Sequence, residues 1–164
     1  LMLEPLEYKD VQKLQEFVIA IDTSGSCSGA LVQRFLQETW TIFQERENFF
    51  AHMNIHIIQC DCVIQEHVKI TCRDEWQQYL DTIQIKGHGD TDFTPVFRLV
   101  DQLMEDGEFR HLKGLLYFTD GDGIYPDVEP AYETAFVFIN QKLKKGKTPD
   151  WAYDLNLGLE TGSV

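Results

Sequence analysis

No apolar run in this 164-residue chain approaches the roughly 20 residues needed to cross a bilayer. The N-terminus also lacks a basic stretch followed by an apolar one, the pattern of a secretory signal. The expectation is a cytoplasmic protein with no membrane partner. Cysteine is scarce, and Cys27, Cys60, Cys62 and Cys72 form none of the CxxC pairs that mark zinc sites or redox dithiols. Cys60 and Cys62 would share one face of a strand, with Cys72 on a neighbouring one. They are expected as buried free thiols, small hydrophobes in effect, in preference to a soft-metal site. Positive charge is in deficit too: 14 Lys and Arg against 27 Asp and Glu give a net charge of -13. Such a chain repels phosphate backbones, which excludes nucleic acid, and it concentrates cations and basic protein patches around itself. There is no internal repeat or low-complexity segment, and the basic stretch from Lys142 to Lys147 is most simply a solvated loop.

What is present describes one packed domain: 43% hydrophobic and 12% aromatic residues, at a length that buries a core without disulfides. Residues 1–16 are expected as a helix or linker, with Leu6, Val11 and Leu14 at loosely helical spacing. The domain proper is expected over 17–157, with a tail at 158–164. Phe17 to Ile21 is continuously apolar and β-branched, which predicts a strand buried on both faces, ending at the loop Asp22 to Gly29. A helix is expected from about Ala30 to Arg46, carrying Leu31, Phe35, Leu36, Ile42 and Phe43 on one side and Ser28 as N-cap. Asn54 to Ile64 reads as a strand, and Val68 to Thr71 as a short one too close behind it for a helical crossover, hence antiparallel.

Asp74 to Thr82 and Thr94 to Met104 read as helices, the latter with Thr94 as N-cap and Pro95 in the first turn. Gly114 to Thr119 and Ala135 to Ile139 read as further strands, and Trp151 to Leu157 as an edge strand. Strands alternating with helices predict an α/β fold with a mostly parallel central sheet, one short antiparallel strand, and helices on both faces.

Open α/β sheets place ligands beyond the carboxyl ends of their strands. Polar residues gather in that position three times. Asp22, Ser24 and Ser26 follow the first strand, Gly87-His-Gly-Asp-Thr-Asp92 precedes the helix at Thr94, and Asp120 and Asp122 follow the strand ending at Thr119. All offer oxygen and none sulfur, which suits a hard cation such as Mg2+, Mn2+ or Ca2+. In Asp-x-Ser-x-Ser, a loop leaving a strand turns alternate side chains toward one spot, and Gly25 eases the turn. Two neutral hydroxyls beside one carboxylate leave the ion positive enough to attract an outside carboxylate, which an all-carboxylate cage discourages. Ser and Asp are equally ordinary capping and turn residues, so the first loop alone is ambiguous. Thr91 before a helix and Asp120 after a strand, at the same end of the sheet, favour the metal reading. Asp92 and Asp122 are expected as solvated turn carboxylates, and His88 as a surface-loop residue.

These pieces carry a resemblance. Val18-Ile-Ala-Ile-Asp-Thr-Ser-Gly-Ser26, the Thr of Asp90-Thr-Asp92, and Tyr117-Phe-Thr-Asp-Gly121 resemble, in order, the metal-ion-dependent adhesion site of von Willebrand factor A (VWA) domains. More narrowly, Gly89 to Phe97, the Tyr-Phe-Thr-Asp strand and the tail Trp151 to Leu157 resemble the C-terminal VWA-like domain of bacterial proteins that also carry a metallopeptidase domain. The resemblance spans about Phe17 to Leu157. It implies a three-layer Rossmann-like fold, metal coordination by Ser24 and Ser26, and participation of Asp22, Thr91 and Asp120 directly or through water. It also implies an open position that takes water or a partner's Asp or Glu. His88 and Asp90 depart from the narrower family's glycine-rich loop, and the added negative charge bears on both the cation and an incoming carboxylate. The metallopeptidase half is absent from these residues, so they carry no protease assignment.

The resulting expectation is a non-enzymatic, metal-dependent protein-interaction module. The resemblance suggests a MoxR-type AAA+ ATPase as partner, since bacterial VWA proteins often accompany such ATPases. Two alternatives stand beside it. A magnesium-dependent phosphoryl-transfer hydrolase also places acidic residues after parallel strands, yet a haloacid-dehalogenase-type site wants Asp where Ser24 stands, and no lysine accompanies the last acidic turn. The other alternative is a scaffold that works without metal.

Overall fold

The structure is a computed structural model that describes residues 14–24, 29–44, 52–138 and 148–156. Six strands and three helices follow one another as β1 (Leu14–Asp22), α1 (Gly29–Gln44), β2 (His52–Cys60), β3 (Ile64–Ile70), α2 (Arg73–Thr82), α3 (Thr94–Glu105), β4 (Gly114–Thr119), β5 (Thr134–Phe138) and β6 (Tyr153–Asn156). They form one sheet in the order β3-β2-β1-β4-β5-β6. Every neighbouring pair is parallel except β2 with β3, the antiparallel pair that the short connection between them requires.

Alternation along β1 shows why both faces must be covered. Ile19 and Ile21 pack on one side with Val32, Phe35, Leu36 and Trp40 of α1 and Trp76, Tyr79 and Leu80 of α2. Val18 and Ala20 pack on the other with Phe93, Val96, Phe97 and Val100 at and within α3. Aromatic contacts tie the layers together: Phe35 stacks on Phe118 at 4.5 Å, and Trp40 on Trp76 at 5.2 Å. Each such fully buried side chain contributes about 1.5–3 kcal/mol, so the sandwich of helices, sheet and helix is held chiefly by its two apolar interfaces. Among the described residues no helix is long and apolar enough to cross a membrane.

The structure corrects several boundaries. β1 begins at Leu14, inside the stretch expected as helix or linker. The sequence pattern misleads there because Gln15 and Glu16 are polar yet buried. Glu16 is paired instead of solvated: its carboxylate accepts hydrogen bonds from Asn54 Nδ2 at 3.1 Å and from the His111 backbone N–H. β2 stops at Cys60, and residues 61–63 form a turn where a continuous strand to Ile64 is expected. Cys62 is therefore exposed in the turn, and Cys72 is exposed as well, so only Cys60 among the described cysteines is a buried thiol. Thr94 is the first residue of α3, with Phe93 in the N-cap position. The capping role falls to Asp92, whose Oδ1 accepts from Thr94 N at 3.0 Å and Thr94 Oγ1 at 2.7 Å. The expected N-cap Ser28, the helical stretch before Leu14, Ile139, Leu157 and the basic stretch 142–147 lie outside the described residues.

The strand order fixes where a ligand can sit. From β1 the chain builds outward to β2 and β3 on one side, then crosses back to place β4 on the other. The two halves diverge at the carboxyl ends of β1 and β4, and this is the crevice that parallel sheets use for ligands.

Candidate metal centre

β1 delivers Asp22 into that crevice. Asp22 is fully buried, with Oδ1 accepting the Ser24 N–H at 2.9 Å and Oδ2 accepting the Thr119 hydroxyl at 2.6 Å. Thr119 Oγ1 in turn accepts the Gly121 N–H at 3.0 Å, so one carboxylate ties the first loop to the end of β4. Burial pushes the Asp22 carboxyl above its ordinary range; the hydrogen bonds from Thr119 and Ser24 oppose this, and the nearby Asp120 charge adds to it. Among the described residues no basic side chain forms an ion pair with Asp22. A buried carboxylate without a cationic partner is costly, and either protonation or a divalent cation would relieve it.

The second loop is shaped by an aspartate that the sequence pattern hides. Asp61, at the end of β2, accepts from Val63 N at 3.1 Å, Gln65 Nε2 at 3.0 Å and Gly89 N at 3.0 Å, while its backbone carbonyl accepts Asp92 N at 3.0 Å. Burial raises its carboxyl, but the bonds from Gln65, Val63, Gly89 and Cys62 outweigh that and hold it below the usual range. Gly87 wraps so closely over this group that an added Cβ would lie 2.7 Å from Asp61 Oδ2 and 2.9 Å from Thr23 Oγ1. His88 donates its backbone N–H to Thr23 O at 2.8 Å, which docks the second loop on the first. It adopts φ +75°, and its side chain is exposed as expected.

Thr91 is presented against the third loop. Asp92 and Ile124 form a β-bridge, with Ile124 N donating to Thr91 O at 3.3 Å and Phe93 N to Ile124 O at 2.9 Å. Gly123 lies against Thr91, where a Cβ would come within 2.6 Å of Thr91 Cγ2. Asp120 is half-buried and its Oδ1 accepts Asp122 N at 3.0 Å; the Asp122 side chain is exposed. Tyr125 donates its hydroxyl to Gly121 O at 2.8 Å, beneath the same turn.

Of the five residues expected to hold a metal, the hydrogen-bonded loops thus carry Asp22, Ser24, Thr91 and Asp120 at one end of the sheet. Ser26 lies outside the described residues. Among the described residues no three His, Cys, Asp or Glu side chains gather as a metal cage. The oxygen-bearing side chains here are carboxylates and hydroxyls together, a hard set. Cys60 takes no part: its thiol contacts the carbonyls of Asp61 and Asp92, and burial pushes its pKa up to about 12.

The family model for the VWA-like domain (DUF2201) matches residues 17–158. The chain belongs to this family. Among solved structures, the VWA-like domain is similar to the SpRpn10 VWA domain, at 11% identity and TM-score 0.52, with 88% of each chain covered. It is also similar to an aerotolerance-related membrane protein from Bacteroides fragilis, at 13% identity and TM-score 0.52, covering 76% of this chain and 67% of that one. At such identities the likeness is one of fold. No curated protein matches the chain. The residues of this VWA-like domain that sequence reasoning passes over are Asp61 and Thr119, which orient the loops without facing outward. The signal for Thr119 is its place at the last strand position before Asp120. Asp61, embedded between Cys60 and Cys62, has none.

Proposed function

We propose that this VWA-like domain is a non-enzymatic, divalent-metal-dependent protein-interaction module, gripping an Asp or Glu of its partner through a metal-ion-dependent adhesion site. VWA-like domains are typically interaction modules and typically non-catalytic. Asp22, Ser24, Ser26, Thr91 and Asp120 would hold Mg2+, Mn2+ or Ca2+. The observation that carries the reading is Asp22, a fully buried carboxylate at the divergence of the sheet with no basic side chain pairing it among the described residues. The bound ion supplies a positive centre for a partner carboxylate. The chain's own residues do the rest: Thr119 and the Ser24 N–H fix Asp22, and the bridge at Ile124 fixes Thr91. The kinship to domains accompanying metallopeptidases, and a MoxR-type AAA+ ATPase as the partner, belong to the same proposal.

Calorimetric and thermal-melt titration with Mg2+ tests it. The wild type is expected to bind and to gain about 2.7 kcal/mol when free ion exceeds its dissociation constant about a hundredfold. Asp22→Asn should show no gain, and in chelator should melt at or above the wild type, because the buried charge is gone. No heat and no thermal shift in the wild type would sink the metal reading. Magnesium-dependent phosphatase turnover lost in Asp22→Asn would overturn the non-enzymatic one.

A further inference from the structure

The three described loops at the candidate metal centre contain Asp22, Asp90, Asp92, Asp120 and Asp122 and no Lys or Arg. A divalent cation offsets only part of this charge. A partner carboxylate arriving alone would therefore approach a surface that stays net negative, so something in the partner besides the carboxylate must favour docking. Tyr125 supports the convergence of these charges. Its hydroxyl pKa is pushed up first by burial and then by Asp154 of β6 and by Asp120, Asp22 and Asp122.

The same rim carries two apolar side chains in fixed places. Ile124 is 61% exposed although its backbone is bridged to Asp92 and bonded to Thr91 and Phe93. Val63 is 54% exposed on the turn whose Asp61 holds Gly89 and Asp92. Asp92 N bonds to Asp61 O and Phe93 N to Ile124 O, so the Thr91 segment runs between the two turns that bear Val63 and Ile124. An apolar side chain whose backbone is pinned loses little conformational freedom on being covered.

From this, and resting on the proposed metal-dependent reading, we infer the partner's chemistry. The rim of Val63, Asp90, Asp122 and Ile124 fits a protein segment that presents one carboxylate flanked by Lys or Arg and by an apolar residue. The carboxylate meets the metal, the basic residues meet Asp90 and Asp122, and the apolar residue covers Ile124 or Val63.

The test uses the whole chain and labelled synthetic peptides with one central Glu, read by fluorescence anisotropy in Mg2+ and in chelator. One peptide has Lys and Leu flanks, a second Ser flanks, a third Asp flanks, and a fourth repeats the first with Gln for Glu. In Mg2+ the Lys and Leu peptide should bind about tenfold tighter than the Ser peptide, and the Asp peptide weakest. The Gln peptide should lose the Mg2+-dependent part. Ile124→Ser and, at saturating Mg2+, Asp90→Asn with Asp122→Asn should each shrink the preference for the Lys and Leu peptide over the Ser peptide, with the Mg2+ heat unchanged in Ile124→Ser. Intact Mg2+ heat with no flank preference, or with no peptide bound, overturns the docking surface and leaves the metal reading standing. Absent Mg2+ heat removes both, and equal binding of the Glu and Gln peptides overturns the carboxylate's role.

Discussion

Single residues set this site through close contact more than through exposure, and Gly87 is the sharpest case. It combines φ +122° with contacts that leave no room for a Cβ between Asp61 Oδ2 and Thr23 Oγ1. Gly107, after α3, shares the left-handed conformation at φ +79°, but a Cβ added there would meet nothing within 4 Å. Gly107→Ala should therefore cost only the conformational penalty of about 1 kcal/mol, whereas Gly87→Ala should cost about 2–4 kcal/mol and displace the second loop. Urea unfolding of the two variants measures this, and equal losses would mean that Asp61 yields easily. The same residues show what a sequence does and does not disclose. That Asp22, Ser24, Thr91 and Asp120 stand at one end of the sheet is legible because each closely follows an apolar run or precedes a helix. Asp61 sits inside Gln-Cys-Asp-Cys-Val, where an acid looks like an interruption of a strand. Only the folded chain shows that it is the peg around which the Gly87–Asp92 segment winds.

Among elements, the connector from α3 to β4 depends on partly buried polar pairs that a hydrophobic pattern cannot announce. Glu108 accepts from Lys69 Nζ at 2.6 Å and contacts His56 Nε2 at 3.0 Å, while His56 Nδ1 lies 2.7 Å from His67 Nε2 and the ring packs edgewise on Phe109. This is also why the start of β1 escapes a reading by hydrophobicity, since Glu16 is satisfied by the same connector and by Asn54. Burial lowers the His56 pKa against the pull of Glu108, and burial likewise lowers that of His67. The Lys69 hydrogen bond and then that of His56 hold Glu108 below the usual range. The unfolded chain therefore binds protons that the folded one resists once pH drops below the ordinary histidine value of 6.5. Stability should fall as pH is lowered through that point, and fall further below the ordinary glutamate value of 4.5, where the Glu108 contribution is lost. His56→Phe keeps the ring packing and removes one titrating group. Its urea midpoint should change less than the wild type's between about pH 7.5 and about pH 5.5. Identical slopes in the two proteins would place the linkage elsewhere.

For the whole molecule, the alternation of strands with helices makes the layered α/β architecture and the antiparallel β2–β3 pair readable in advance. The strand order is not, because which side of β1 receives β4 depends on packing between segments far apart in the chain. That placement shapes the candidate site, since it brings the Thr119–Asp120 end of β4 beside Asp22 and concentrates acid at one end of an already acidic chain of net charge -13. Such a molecule repels itself, and the repulsion is screened by salt over a Debye length of about 10 Å at 0.1 M. In chelator, the melting temperature should therefore rise with added KCl, and millimolar Mg2+ should replace most of that effect by occupying the site where the charge is densest. Asp90→Asn with Asp122→Asn should flatten the KCl dependence. A dependence equally steep in that variant would locate the repulsion away from the three loops, in the remainder of the acidic surface.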